Sequence, residues 1–79
     1  MKETFKDKEL LEWCCLKYNT YNFTGNDIIR IWKFDNNQIH MQLYRLYMNH
    51  PDKIGKFVSD KQIYYYMKND YVNKILNKI

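Results

Sequence analysis

Residues 23–46 read Phe23-Thr24-Gly25-Asn26-Asp27-Ile28-Ile29-Arg30-Ile31-Trp32-Lys33-Phe34-Asp35-Asn36-Asn37-Gln38-Ile39-His40-Met41-Gln42-Leu43-Tyr44-Arg45-Leu46, and one helix-start signature occurs in them twice. Thr24 offers a capping hydroxyl, Asp27 three residues on is its reciprocal partner, and Phe23 ahead of the cap can staple to Ile28. Asp35 repeats the pattern, with Gln38 as box partner and Phe34 stapled to Ile39. Two starts so close together predict a short helix from about Gly25 to Trp32, a tight turn at Lys33-Phe34, and a longer helix from about Asn36 to Met48. That is helix-turn-helix spacing.

Working outward, Leu10, Leu11, Cys14, Cys15 and Tyr18 recur at helical spacing after an N-cap at Asp7, which predicts a first helix ending near Tyr18. On the other side Pro51 stops the long helix. Ile54-Gly55-Lys56-Phe57-Val58 and Ile63-Tyr64-Tyr65-Tyr66-Met67 are then β-branched and aromatic runs around Ser59-Asp60-Lys61-Gln62, so they read as strand, turn, strand. Tyr71, Val72, Ile75, Leu76 and Ile79 return to helical spacing and predict a short helix over about 70–79. Its apolar stripe can close the monomer's core or pair with a second copy to make a homodimer. Three helices, a hairpin and a short last helix predict an α+β winged helix-turn-helix in one domain, 1–79, with its core over about 7–67.

Size and composition agree with one folded domain: 79 residues leave no room for a second core, and 46% hydrophobic with 18% aromatic is far from disorder. No apolar run is long enough for a bilayer, and Met1-Lys2-Glu3-Thr4 does not begin a secretory signal. An intracellular protein is expected. Cys14 and Cys15 fit that compartment, because neighbours on a helix point about 100° apart and do not form an unstrained disulfide. The net charge of +4 is divided unevenly. Residues 1–29 carry four Lys against five acids, and residues 30–79 carry nine Lys or Arg against four acids. The positive field therefore belongs to the second half, where it can meet phosphate.

On the long helix Ile39, Leu43 and Leu46 share one face and turn inward. Asn37, His40, Met41, Tyr44 and Met48 remain outside, flanked by Asn36 and Arg45. Asn and His pair with base edges or phosphates, Tyr offers a ring and a hydroxyl, and Arg45 a fork for phosphate or guanine. Lys56 and Lys61 stand on or beside the hairpin, where a phosphate backbone would pass if the helix lay along a groove, at sites of little packing value. Of the three consecutive tyrosines, alternation sets Tyr64 and Tyr66 on one face and Tyr65 on the other, one set in the core and one open to a ligand. The expected partner is double-stranded nucleic acid, DNA or RNA.

The segment Asn36-Asn37-Gln38-Ile39-His40-Met41-Gln42-Leu43-Tyr44-Arg45-Leu46 resembles the third helix of Zα-type winged helices, which bind left-handed Z-DNA and Z-RNA, in particular those of poxviral interferon-resistance proteins. The resemblance covers about Asp7 to Met67 and rests on spacing more than identity. It implies that Tyr44 packs on a syn guanine and that His40 stands where the family has a phosphate-binding Asn. Asn36 and Asn37 replace basic residues. In the hairpin Gln62-Ile63-Tyr64-Tyr65 replaces the family's Pro-Pro-x-Trp, so Tyr65 takes the tryptophan's place without the proline platform. A viral antagonist of host nucleic-acid sensing is the role so implied.

Catalysis is not expected. His40 and His50 lie on separate elements, Cys14-Cys15 is not a C-x-x-C motif, and there is no glycine-rich phosphate loop, so neither a metal nor a cofactor is predicted. Two other readings share the same elements. One is a sequence-reading regulator of B-form DNA from a virus, phage or plasmid. The other is a protein-interaction module whose Met41, Tyr44, Tyr47 and Met48 make the contact face.

Overall fold

In a computed structural model, which describes residues 6–33 and 36–78, the helices are α1 (Asp7–Tyr18), α2 (Gly25–Trp32), α3 (Asn36–Asn49) and α4 (Asn69–Asn77). An antiparallel hairpin of β1 (Ile54–Ser59) and β2 (Gln62–Met67) lies between α3 and α4. The class is α+β, in an order compatible with a winged helix. Among the described residues no helix is long and apolar enough to cross a membrane.

The start of α2 is built as its sequence dictates. Asp27 N–H donates to Thr24 Oγ1 at 3.2 Å and Thr24 N–H donates to Asp27 Oδ2 at 3.0 Å, so two otherwise unpaired donors are satisfied reciprocally. Phe23 and Ile28 are both buried beside it. The helix stops at Lys33, which turns left-handed at φ 58° and gives its N–H to the Ile29 carbonyl. The Asp35 capping box and the Phe34 staple lie outside the described residues.

Helix α1 begins differently from expectation. Lys6, not Asp7, is the cap residue, and its N–H donates to Glu9 Oε1 at 3.0 Å. That leaves the Asp7 carboxylate free to reach α3, where it accepts from Gln42 Nε2 at 3.1 Å and Arg45 Nη2 at 3.0 Å. The attraction of a guanidinium outcompetes a local cap here.

The hairpin turn is tighter than the four-residue turn read from the sequence. Ser59 pairs with Gln62, leaving Asp60 and Lys61 as a two-residue turn with φ of 52° and 64°. Both occupy the left-handed region without being glycine, a conformation that matches strand twist in a hairpin but costs a side-chain-bearing residue roughly 1–2 kcal/mol. Register places Ile54, Lys56 and Val58 on one face with Met67, Tyr65 and Ile63. The opposite face carries Phe57 stacked on Tyr64, ring centroids 5.3 Å apart, and the Tyr66 ring lying against Gly55 where any Cβ would collide with it.

One connection had no sequence signal. Phe23 and Tyr65 exchange backbone hydrogen bonds of 2.9 and 2.7 Å, so the residue before the α2 cap adds a third backbone segment beside β2. Tyr18 stacks flat on the Phe23 ring, centroids 4.5 Å apart, and ties α1 to the same point. Leu10, Cys14, Ile28, Ile39, Leu43, Leu46, Ile54 and Met67 fill the core between these elements. Val72 and Ile75 of α4 belong to it too, so the core runs beyond residue 67 and α4 spends most of its apolar stripe on its own monomer.

Candidate nucleic-acid interface

Burying Ile39, Leu43 and Leu46 fixes the rotation of α3 and turns His40, Met41, Tyr44 and Arg45 toward solvent on the side of the hairpin tip. Between them and Lys61, Gln62, Ile63 and Tyr65 runs an open groove of about 590 Å³. Its walls are mainly rings and aliphatic chains. Met41 is 68% exposed and Tyr44 50%, whereas Tyr65 is only 3% exposed and forms the floor. Burial pushes the Tyr65 phenol above its ordinary pKa, and the neighbouring Tyr44 adds to the effect.

The rim is polar. His40 lies across the first residue of α2, close enough that a Cβ on Gly25 would stand 2.5 Å from its Nδ1, so only glycine leaves the imidazole this seat. Arg45 reaches the groove while holding Asp7, which offsets part of its charge. Burial would raise the Asp7 carboxyl, but the hydrogen bonds from Gln42 and Arg45 and the charge of Arg45 outweigh it and hold the pKa below the usual value. Lys61 completes the rim from the turn.

Six of the nine residues expected to bind therefore meet in one groove: His40, Met41, Tyr44, Arg45, Lys61 and Tyr65. Tyr65 enters as its buried floor, because its backbone is pinned to Phe23 and its side chain follows Met67 into the core. Lys56 does not line the groove. It is half-buried behind Tyr44, with its ammonium 5.2 Å from the Tyr47 ring centroid and 6.0 Å from that of Tyr44, so its site has packing value after all. Asn37 is exposed in the first turn of α3, and the Asn36 side chain lies outside the described residues. Sequence reasoning missed Gln62 and Ile63, which are brought in by the two-residue turn, and Asp7, whose reach to Arg45 spans 38 positions.

The basic second half is not gathered on this face. Arg45 and Lys61 are the basic residues lining the groove, Arg30 pairs with Asp27 at 3.5 Å, and Lys53, Lys74 and Lys78 lie around α4. Among the described residues no three His, Cys, Asp or Glu side chains are grouped to hold a metal. Both cysteines are free and buried, and burial raises both thiols, Cys15 to about 11. No family model matches the chain, and neither does any curated protein or solved structure.

Proposed function

We propose that the protein is a winged-helix nucleic-acid-binding domain whose favoured ligand is a left-handed duplex, DNA or RNA, held between α3 and the tip of the hairpin. The supporting observation is the half-exposed Tyr44 ring in a mainly apolar groove with His40, Arg45 and Lys61 on its rim. A right-handed duplex offers a protein the edges of its bases, which are read by hydrogen-bonding side chains. A ring-walled groove suits the face of a base instead, with phosphates on the cationic rim. The zigzag backbone of the left-handed form exposes a purine in that way. In this reading Tyr44 packs on the purine, His40 donates to a phosphate, and Arg45 and Lys61 hold the same strand.

Binding of this kind shifts a duplex between forms only through its preference for one of them. An alternating CG duplex titrated with protein at moderate salt is expected to show inversion of its long-wavelength circular-dichroism bands, and Tyr44→Ala to abolish it. A bound duplex that keeps its right-handed spectrum would point to a regulator of B-form DNA. Exposed Met41 and Met48 favour one further reading, a protein-contact surface, because methionine and aromatic side chains are enriched in interface cores. Absence of duplex binding at low salt would favour it.

A further inference from the structure

A second concavity, about 390 Å³, lies between α1 and α4 and is separate from the α3 groove except at the Arg45–Asp7 pair. Lys8, Lys53, Lys74 and Lys78 line it together with His50, against two acids, Asp7 and Glu12. Both acids are engaged: Asp7 by Arg45 and Gln42, and Glu12 by Lys78 at 3.9 Å. Among the described residues Lys8, Lys53 and Lys74 have no carboxylate within ion-pair distance, and the Lys53 ammonium sits 5.2 Å from the centroid of the Tyr71 ring instead. The apolar residues of this groove, Leu11 and Ile75, are 3% and 6% exposed. Three unpaired ammonium groups and the half-buried Tyr71 ring are thus what the groove offers a ligand.

We infer that the α1–α4 groove is a phosphate-backbone site for a nucleic-acid duplex, with Lys8, Lys53 and Lys74 as its contacts. Charge complementarity carries the inference, since three lysines stand unpaired around the groove while its two acids are already held and its aliphatic chains, Leu11 and Ile75, lie in the core. The α3 groove exposes Met41 and the Tyr44 ring and has fewer cations, so it suits bases and the α1–α4 groove suits backbone. If α3 also binds duplex as proposed above, one molecule can hold two segments. The inference does not depend on the form of duplex bound at α3.

The test is a titration of the isotope-labelled full chain with a twelve-base-pair duplex of mixed sequence at low salt, followed by amide chemical shifts. Shifts are expected at Lys53, Tyr71 and Lys74, and Lys53→Glu with Lys74→Glu should weaken binding there about tenfold or more and lower its salt slope by about two. The variant's spectrum away from the groove reports that it is folded. Lys53→Arg with Lys74→Arg should bind as the unaltered protein does. No shifts at these amides, or shifts that survive the charge reversal, would overturn the inference. Shifts here with none at Met41 and Tyr44 would support it and sink the proposal for α3.

Discussion

The two grooves of this small domain present different side chains to a ligand. The α3 groove has the exposed Tyr44 ring and the Met41 thioether, and its one arginine is partly neutralised by Asp7. The α1–α4 groove has four lysines and a histidine against two paired acids and the half-buried Tyr71, over Leu11 and Ile75, which are sealed in the core. Net charge along the chain is therefore a poor guide to where a field lies. Lys53, Lys74 and Lys78 line the groove between α1 and α4, while the α3 groove keeps the exposed Tyr44 ring. Binding at the first groove should depend on fit, and at the second on salt.

The largest effect separates the first groove from the core beneath it. Leu43 is fully buried, so Leu43→Ala should cost about 2–5 kcal/mol through the cavity it leaves. Tyr44, its neighbour, is half exposed, and Tyr44→Ala should leave the urea midpoint almost unchanged while duplex binding at α3 falls. That loss should be similar at low and high salt. If Tyr44→Ala proved the more destabilising of the two, α3 would be rotated from this arrangement and the contrast between the grooves would collapse.

Next in size is Lys56, which the sequence placed with Lys61 and the fold does not. Its ammonium lies against the Tyr47 ring, so Lys56→Ala should cost about 0.5–1 kcal/mol in thermal melts and change the salt slope of duplex binding little. Lys61→Ala should do the opposite, lowering the slope by about one with no loss of stability. Removing a side chain from a left-handed residue even favours a gain, and Lys61→Gly should stabilise the turn by about 1 kcal/mol. Equal slopes for Lys56→Ala and Lys61→Ala would put both lysines back on one surface.

These cases show what was legible in the sequence. The Thr24 cap, the inward face of α3 and the outward set around Tyr44 are local patterns, fixed by a 3.6-residue period and by side-chain chemistry a few positions apart. Helix and strand bounds come out within about a residue, except the end of α4, expected near 79 and found at Asn77. The rest was set by contacts between distant positions. Phe23 joins the hairpin because β2 has a free edge beside it, the turn closes at two residues because register demands it, and Asp7 leaves its own helix end for Arg45. Whether Tyr65 or its neighbours faced the core was likewise open until the Phe23 bridge decided it.

The smallest effect concerns Asp7, the residue at the border of both grooves. Its carboxylate holds Arg45 at 3.0 Å in a partly exposed pair, which is worth about 0.2–1 kcal/mol. Asp7→Asn keeps an oxygen for the Gln42 amide but releases the guanidinium, so duplex affinity at α3 should rise about two- to fivefold at low salt and stability should fall slightly. The pH dependence has a definite sign. The folded pKa of Asp7 lies below the unfolded value, so the stability it contributes is present above the unfolded value of about 3.9 and is lost as pH falls through the folded one. Urea melts at pH 6 and pH 3 should show a smaller acid loss in Asp7→Asn than in the unaltered protein. A gain at α1–α4 is also expected, because one negative charge leaves that groove as well, and the Arg45→Gln background separates the two. There Asp7→Asn should still strengthen the α1–α4 shifts and no longer those at Met41 and Tyr44. If the α3 gain persisted without Arg45, Asp7 would act by general charge on both grooves alike, and the border drawn between them at this ion pair would be wrong.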